Sequence, residues 1–214
     1  MLSAFKIPAV VLILALTSCN TAKNLAANFI PTGKQDVALT EIRSGAYTLD
    51  PEHSYLSFSF DHMGFSTTHA RFDQVAATLN FNSLTPGQAA LSITLNMASV
   101  NTNVAKFDEL LRSDDFFDVE KFPEATFLSD AVYFTSDTTA EVPGTLTLHG
   151  VSQKVVFYVT FRGAGKNWIS GKYTLGFSAK AVVNRSAFGL KNLLALTGDE
   201  VTIEIDAEFN LLED

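Results

Sequence analysis

The stretch VTIEIDAEF, residues 201–209, has the clearest pattern in the 214-residue chain. Apolar residues stand at positions 203, 205, 207 and 209, and polar or acidic residues stand between them. Because successive side chains of a strand point to opposite faces, this alternation predicts a β-strand with one face in an apolar interior. A helix, with its period of 3.6 residues, would mix the two classes around its surface.

The same alternation recurs from residue 46 to the end of the chain. It is clearest in YLSFSF (55–60), LSITLNM (91–97) and KVVFYVTF (154–161), and further apolar runs lie at 72–81, 124–134, 144–149 and 173–183. Turn residues, such as Thr85-Pro86-Gly87, separate most of these runs. Many short strands with one apolar face each indicate a β-sandwich or a closed barrel.

One segment interrupts the strands with a helical spacing. NVAKFDELLRSDDFF (103–117) places Val104, Phe107, Leu110 and Leu111 at positions i, i+3, i+6 and i+7. We therefore expect one short helix that lies across the barrel or its mouth.

The first eighteen residues have the layout of a secretory signal peptide. Lys6 precedes an apolar run, Ile7–Leu16, that is shorter than the roughly 20 residues of a membrane-spanning helix. The ending LTSC resembles a bacterial lipobox, in which the cysteine, here Cys19, is acylated and becomes the first residue of the mature chain. The alternative is an ordinary signal peptide that ends near a cysteine. Since Cys19 is the only cysteine, an intrachain disulfide is excluded.

These patterns divide the chain into three parts. Residues 1–18 are predicted to be a lipoprotein signal peptide, residues 19–45 an acylated N-terminus with a flexible tether, and residues 46–214 a barrel domain. Asn20, after the cysteine, resembles the pattern of Gram-negative lipoproteins sent to the outer membrane. We expect a protein that is lipid-anchored on the periplasmic face of that membrane.

The composition bears on which partners and activities to expect. The formal net charge of −8 repels polyphosphate backbones, so we expect no nucleic-acid partner. The G-x-S-x-G, H-E-x-x-H and C-x-x-C motifs and a glycine-rich phosphate loop are missing from the sequence, so we expect neither an enzymatic activity nor a cofactor. The 18 phenylalanines indicate a large apolar interior or lining.

Two groups of polar residues leave alternatives open. His62 and His69 flank a predicted hairpin, where they either bind a metal together or are simply polar side chains near a strand end. We favour the second interpretation and expect no metal site. Arg185 is a lone cation among apolar and small residues. It either holds a ligand head group by directed hydrogen bonds or pairs with an acid such as Asp115 or Asp199.

Five segments, in this order, resemble the YceI-like family: YTLDPEHSYLSFSFDHMGFS (47–66), ASVNTN (98–103), LRSDDFFDVEKFPEATF (111–127), GTLTLHGVSQKVVF (144–157) and NRSAFGL (184–190). The resemblance runs from about Tyr47 to Leu211. It implies a lipocalin-like, eight-stranded antiparallel barrel with a helix, export to the periplasm, and an elongated apolar cavity for long amphiphilic or polyisoprenoid-type lipids. The chain departs from the family pattern at Ala70, often glycine, and at Leu110, where a histidine is common.

The expected function is therefore binding of a long-chain amphiphilic lipid, of polyisoprenoid, quinone or fatty-acyl type, as a carrier or buffer. The alternative is a stress-response or partner-binding module with a filled, ligand-free barrel, and a homodimer is left open. The side chains expected to line or close the cavity are Phe58, Phe60, Leu95, Met97, Phe116, Phe117, Phe157, Phe177 and Phe188, with Arg185 at the head group. For each apolar member, plain core packing is the competing interpretation.

Overall fold

The computed structural model describes residues 37–212, so the predicted signal peptide, Cys19 and residues 20–36 lie outside the described part. The predicted all-β, eight-stranded antiparallel barrel is confirmed. The strands in chain order are β1 (Gly45–His62), β2 (Ser66–Phe72), β3 (Val75–Phe81), β4 (Ala90–Asn96), β5 (Val100–Asn101), β6 (Glu124–Ser129), β7 (Tyr133–Phe134), β8 (Thr139–Leu148), β9 (Val151–Lys166), β10 (Tyr173–Asn184) and β11 (Glu200–Leu211).

Eight of these strands form the closed wall, in the order β1-β3-β4-β6-β8-β9-β10-β11, and β11 returns to pair with β1. The first part of β1 pairs with β3, where Gly45 lies opposite Phe81, and its last part pairs with β2, where His62 lies opposite Ser66. The strands β2 and β3 therefore follow each other along one edge of β1. The short strands β5 and β7 add to β2 and β8.

Two short α-helices accompany the barrel within residues 37–212: α1 (Ala105–Arg112) and α2 (Leu194–Thr197). The sequence predicted only the first, because a four-residue helix is too short to show a helical period. Neither helix has the length and apolar character that crossing a membrane requires.

The apolar face of α1 is narrower than predicted. Phe107 and Leu111 pack against the barrel interior, whereas Val104 and Leu110 are exposed. The helix begins only at Ala105, so Val104 is its N-terminal flank and does not share its face. The inward side instead includes the buried carboxylate of Asp108, whose Oδ1 accepts hydrogen bonds from the backbone N–H and the hydroxyl of Thr102, both at 2.7 Å.

The barrel has two ends with different loops. At the N-terminal end, β1 begins and β11 ends, and the connections 82–89, 130–138 and 167–172 lie there. At the helix end, the β1–β2 hairpin, α1 and the segment 185–199, which contains α2, lie together.

Residues 37–44, the last part of the predicted tether, pack on the N-terminal end. Leu39–Glu41 form a 3-10 turn, and Ile42 is only 3% exposed, in a cluster with Tyr47 and Leu79. The Tyr47 hydroxyl donates a hydrogen bond of 2.5 Å to the carbonyl of Arg43. The packed unit thus begins before residue 46, because one isoleucine is inserted among the core side chains at the mouth of the barrel.

Candidate functional site

Two apolar chambers lie inside the barrel, one toward each end. The chamber at the N-terminal end has a volume of about 150 Å³ and the helix chamber about 160 Å³. The N-terminal chamber is walled by side chains that include Leu39, Ile42, Leu79, Phe81, Pro86, Val132, Phe161, Leu175 and Phe177. The helix chamber is walled by Phe58, Phe60, Phe72, Leu95, Met97, Phe107, Leu111, Phe116, Phe117, Leu190 and Leu193, among others.

A belt of five side chains belongs to the walls of both chambers. These side chains come from five strands around the barrel: Leu56, Ile93, Phe127, Phe157 and Ile205. Phe127 and Phe157 meet edge to face, with ring centroids 4.9 Å apart and an interplanar angle of 76°. Because the two chambers share these walls, they adjoin at this belt, which forms a waist between them.

The inward side chains of β4 and part of β11 are incompletely buried. Strand β4 has no fully buried residue, although Leu91, Ile93 and Leu95 face inward. Ile203 and Ile205 of β11 are also only partly buried. In a barrel filled by its own side chains these residues would be inaccessible. Their accessible surface faces the hollow.

Eight of the nine apolar side chains predicted from the sequence lie in the cavity walls. Phe58, Phe60, Leu95, Met97, Phe116 and Phe117 line the helix chamber, Phe177 lines the N-terminal chamber, and Phe157 stands in the belt between them. Phe188, the ninth, is not among the side chains that line either chamber. This residue is 1% exposed and packs with Val155 and Ala181, because it sits in the 3-10 turn Arg185–Phe188 outside the alternating part of β10.

An aromatic cluster covers one side of the helix chamber. The ring of Phe58 lies 5.4 Å from Phe72, 6.3 Å from Phe60 and 6.4 Å from Phe117, measured between centroids. Phe72 and Phe117 are 6.0 Å apart. Aromatic faces and edges give this wall an apolar surface that needs no hydrogen bonds.

Arg185 lies in the wall of the helix chamber, but its guanidinium mainly holds the neighbouring loop. Nε donates to the Gly198 carbonyl at 2.9 Å, and Nη1 donates to the carbonyls of Leu190 at 3.1 Å and Asn192 at 2.8 Å. Nη2 donates to the Thr197 hydroxyl at 2.9 Å. Four of its five N–H donors are therefore used within segment 185–199. Burial lowers the pKa of Arg185, and the nearby charge of Asp199 opposes this effect.

The acids that the sequence suggested for Arg185 have other contacts. The Asp199 carboxylate accepts hydrogen bonds from the backbone N–H of Ser186 at 2.8 Å and from its hydroxyl at 2.6 Å. These bonds lower the pKa of Asp199. The Asp115 carbonyl accepts a hydrogen bond from the Asn192 side chain. Segment 185–199 is thus a lid over the helix chamber that is fastened mainly by hydrogen bonds to backbone atoms.

His62 and His69 do not meet across their hairpin. His62 lies opposite Ser66 and His69 lies opposite Ser59, so two residue pairs lie between them. They also lie on opposite faces, since His62 shares the parity of Phe58 and Phe60, whereas His69 pairs with the outward Ser59. The two side chains are therefore not placed side by side on one face of the hairpin.

A different titratable group lies on the outer wall of the barrel. Asp50, His53 and Glu208 each offer an atom within 4.8 Å of the others. The sequence did not reveal this group, because it depends on an irregularity in the β1–β11 ladder between Leu49 and Ser54. Asp50 Oδ2 accepts hydrogen bonds from the Asn210 side chain at 3.0 Å and from His53 Nδ1 at 3.2 Å.

The pKa values of Asp50 and His53 shift in opposite directions. Partial burial raises the pKa of Asp50, but hydrogen bonds from Asn210, His53 and the Glu52 backbone lower it more, so the net pKa lies below 3.8. The hydrogen bond to Asp50 and the charge of that carboxylate raise the pKa of His53 above 6.5. This outward group braces the irregular part of β1 and lies apart from the two chambers.

Several wall residues were not predicted from the sequence. The small side chains Ala77, Ala125 and Ala179 face the chambers and make room in them. Strand alternation places such residues inward, but it does not distinguish an alanine that packs in a core from one that leaves a space. Leu39 and Ile42 were missed because residues 37–44 have no strand period.

Comparison with known proteins finds a matching family model, similar sequences and similar solved structures. The model of the YceI-like domain matches residues 47–209. A UPF0312 protein of Pseudomonas savastanoi pv. phaseolicola is 37% identical over 172 residues, which cover 79% of this chain and 88% of the relative. The crystal structure of Burkholderia cenocepacia BcnA is similar with a TM-score of 0.67 and 25% identity, covering 75% of this chain and 98% of that one.

A polyisoprenoid binding domain from Saccharophagus degradans shares the fold, with a TM-score of 0.62 and 16% identity, over 79% of this chain and 100% of that one. The family match covers most of the barrel, and the resemblance seen in the five sequence segments is confirmed. The chain therefore belongs to the YceI-like family.

Proposed function

We propose that this protein binds one long-chain amphiphilic lipid, of polyisoprenoid, quinone or fatty-acyl type, in the two joined chambers. It acts as a carrier or buffer of that lipid and not as an enzyme. The observation that carries the proposal is that inward side chains of β4 and β11 stay accessible to the chambers inside the barrel. These side chains are Leu91, Ile93, Leu95, Ile203 and Ile205.

The size and shape of the hollow favour a slender ligand. Each chamber, at about 150 to 160 Å³, is smaller than the roughly 300 Å³ at which pockets for drug-sized ligands begin. Both chambers together reach that range. A flexible acyl or prenyl chain passes a waist such as that of Phe127 and Phe157 more easily than a wide, rigid molecule does.

Burial of the apolar tail supplies the affinity. A chain that removes several hundred Å² of apolar surface from water gains on the order of 10 kcal/mol before ordering costs, at about 25 cal/mol per Å². An apolar cavity of about 150 Å³ stays dry, so the ligand displaces little bound water. The polar side chains at the rims would select the head group: Asp137 and Thr138 at the N-terminal end, and at the helix end Thr197 with the fifth N–H of Arg185, which the loop contacts leave over.

The proposed class of lipid and the proposed location of the protein are supported by different observations. The fold shared with the Saccharophagus degradans domain, which is described as polyisoprenoid binding, favours a prenyl chain. The lipobox-like sequence before Cys19 supports acylation at that residue and anchoring on the periplasmic face of the outer membrane of a Gram-negative bacterium. An anchored carrier stays beside the membrane that holds its ligand.

Native mass spectrometry tests this function. Residues 19–214 with Cys19→Ser are exported to a Gram-negative periplasm behind a cleavable signal peptide and purified without detergent. The native mass is compared with the denatured mass, and any released molecule is extracted with organic solvent. We expect one lipid per chain. Ala125→Phe, which fills the helix chamber, and Ala179→Phe, which fills the N-terminal chamber, are expected to reduce it. A protein that remains empty after incubation with total membrane lipids would favour the partner-binding module.

A further inference from the structure

The β9–β10 hairpin presents two apolar side chains to solvent at its apex. Trp168 is 63% exposed and Ile169 is 79% exposed. The turn that carries them is well defined. Asn167 accepts hydrogen bonds from the backbone N–H groups of Ile169 at 2.9 Å and Ser170 at 3.2 Å through its side chain. The Asn167 carbonyl accepts the Gly171 N–H at 2.7 Å, so the apex keeps its shape without burying these residues.

A third exposed apolar side chain belongs to the same end of the barrel. Leu84, in the β3–β4 connection, is 86% exposed. Its loop is fastened to the N-terminal segment by the hydrogen bond from the Ser83 N–H to the Ser44 hydroxyl at 2.9 Å. Arg43, which precedes Ser44, stacks on Tyr173 at the base of the β9–β10 hairpin, with its Cζ 4.8 Å from the ring centroid. Residues 43–44 therefore join the two loops.

Cations surround this apolar surface. Lys166 and Lys172 flank the hairpin apex and are exposed, as is Arg43. Three exposed acids, Glu41, Asp130 and Asp137, belong to the loops of the same end, and Asp130 is paired with Lys154 at 2.7 Å. Lys166 and Lys172 thus stand directly beside the exposed Trp168 and Ile169, whereas the protein as a whole has a net charge of −8.

This combination matches the chemistry of a bilayer surface. Tryptophan prefers the boundary between head groups and acyl chains, aliphatic residues enter just below it, and lysines bind anionic head groups. We propose that the N-terminal end of the barrel docks on an anionic lipid bilayer, with Trp168, Ile169 and Leu84 entering its interface. The described chain also begins at this end, so the proposed Cys19 anchor would attach on the docking side.

Docking would extend the proposed lipid binding, because it would turn the N-terminal chamber toward the bilayer. The rim of the N-terminal chamber includes Leu39 and Pro86, which lie in the segments beside this surface. A tail that leaves the bilayer there enters the apolar chamber after a short passage through water. The lid of segment 185–199 then faces away from the membrane.

The single tryptophan makes the docking measurable without a label. Trp168 is the only tryptophan in the chain, so its fluorescence reports the hairpin apex alone. The same protein as above, residues 19–214 with Cys19→Ser, carries neither the acyl group nor the apolar signal segment, and it is mixed with vesicles of phosphatidylethanolamine and phosphatidylglycerol. We expect a blue shift of the emission and quenching by lipids brominated in the upper part of their chains.

Variants identify the contacts that matter. Ile169→Glu is expected to lower partitioning on these vesicles by at least about tenfold, because it replaces an aliphatic group that enters the bilayer with a charge. Lys166→Gln and Lys172→Gln are each expected to lower it about fivefold on anionic vesicles and to have no effect on phosphatidylcholine alone. Phe65→Ser, which changes an 84% exposed residue at the helix end, is the matched control and leaves partitioning unchanged.

Three results would overturn the proposal. The first is Trp168 emission that vesicles do not change, and the second is an equal loss of partitioning in Phe65→Ser. The third is a dimer in analytical ultracentrifugation that Ile169→Glu dissociates, which would make this surface a contact between copies of the chain.

The Ala179→Phe variant keeps docking separate from ligand binding, because it fills the cavity but leaves the hairpin apex intact. Quenching that persists in this variant supports docking even where the cavity binds no lipid, and quenching that disappears with it would mean that Trp168 reports cavity lipid.

Discussion

The rings of Phe127 and Phe157 meet edge to face at 4.9 Å, at the belt where the two chambers of the barrel share their walls. Phe127 comes from β6 and Phe157 from β9, on either side of β8. Between them, Gly144 of β8 leaves space for the Phe127 ring: a Cβ at this position would lie 2.3 Å from Phe127 Cζ. The width of the waist therefore depends on a glycine in the wall.

Gly144→Ala is expected to displace the Phe127 ring and to disturb β8. The added Cβ would also lie 2.4 Å from the Leu128 carbonyl oxygen, which belongs to the backbone and cannot move freely. We expect a loss of about 1–3 kcal/mol in the free energy of unfolding and weaker lipid retention. Urea denaturation and native mass spectrometry measure the two effects. Gly165→Ala, where no atom lies within 4 Å of the added Cβ, is the control and should change neither.

Arg185→Lys distinguishes a fastened lid from a head-group site. Lysine keeps the positive charge but lacks the planar fork that reaches Gly198, Leu190 and Asn192 together. We expect a loss of roughly 2–3 kcal/mol in stability and a faster release of bound lipid, almost as large as for Arg185→Met. If Arg185 acted mainly through its charge on a head group, the lysine variant would retain lipid as well as the wild type does.

The Asp50–His53 pair predicts a pH-dependent contribution to stability. His53 has a raised pKa, so its contribution is complete below its ordinary value of 6.5 and is lost as the pH rises through the raised value. Asp50 has a lowered pKa, so its contribution is complete above 3.8 and is lost as the pH falls through the lowered value. The pair therefore stabilises most between these two ordinary values.

Asp50→Asn tests that window. The difference in unfolding free energy between the wild type and the variant should be largest between pH 3.8 and 6.5 and should decrease above it, as measured by urea denaturation at a series of pH values. His62→Gln, which changes an exposed histidine in the β1–β2 hairpin, serves as the control. A difference that does not vary with pH would show that the pair makes no charge-dependent contribution.

Ile42→Ala tests whether residues 37–44 belong to the folded unit. Ile42 is 3% exposed and contacts the core cluster of the N-terminal end, so its truncation should cost about 2–4 kcal/mol. Leu84→Ala removes an aliphatic group that is 86% exposed and should change stability by less than about 0.5 kcal/mol. Equal, small effects of both substitutions would show that residues 37–44 are a tether, as the sequence predicted.

The sequence predicted the strands well because alternation is a local property. VTIEIDAEF and KVVFYVTF lie in β11 and β9, and their apolar faces point inward as expected. The hollow was harder to predict, because it depends on whether facing side chains from distant strands meet. Ala125 and Ala179 look like core residues in the sequence, and only the closed barrel shows the space before them.

Contacts between distant segments explain the other differences. The partners of Arg185 are carbonyls, which a sequence pattern cannot single out, and the sequence therefore suggested acids instead. Phe188 was expected to line or close the cavity, with core packing as the competing interpretation. The chain leaves the strand at Arg185, so the alternation no longer applies to Phe188.

The dissociation constants of a series of acyl chains of increasing length test the central claim most directly, that one ligand occupies both chambers. For the wild type, each added CH₂ should tighten binding by about fourfold at most until the tail fills both chambers, since a buried CH₂ contributes roughly 0.8 kcal/mol. For Ala125→Phe, which fills the helix chamber, the gain should end at a shorter chain. An affinity that does not depend on chain length, or the same length dependence in both proteins, would contradict the account.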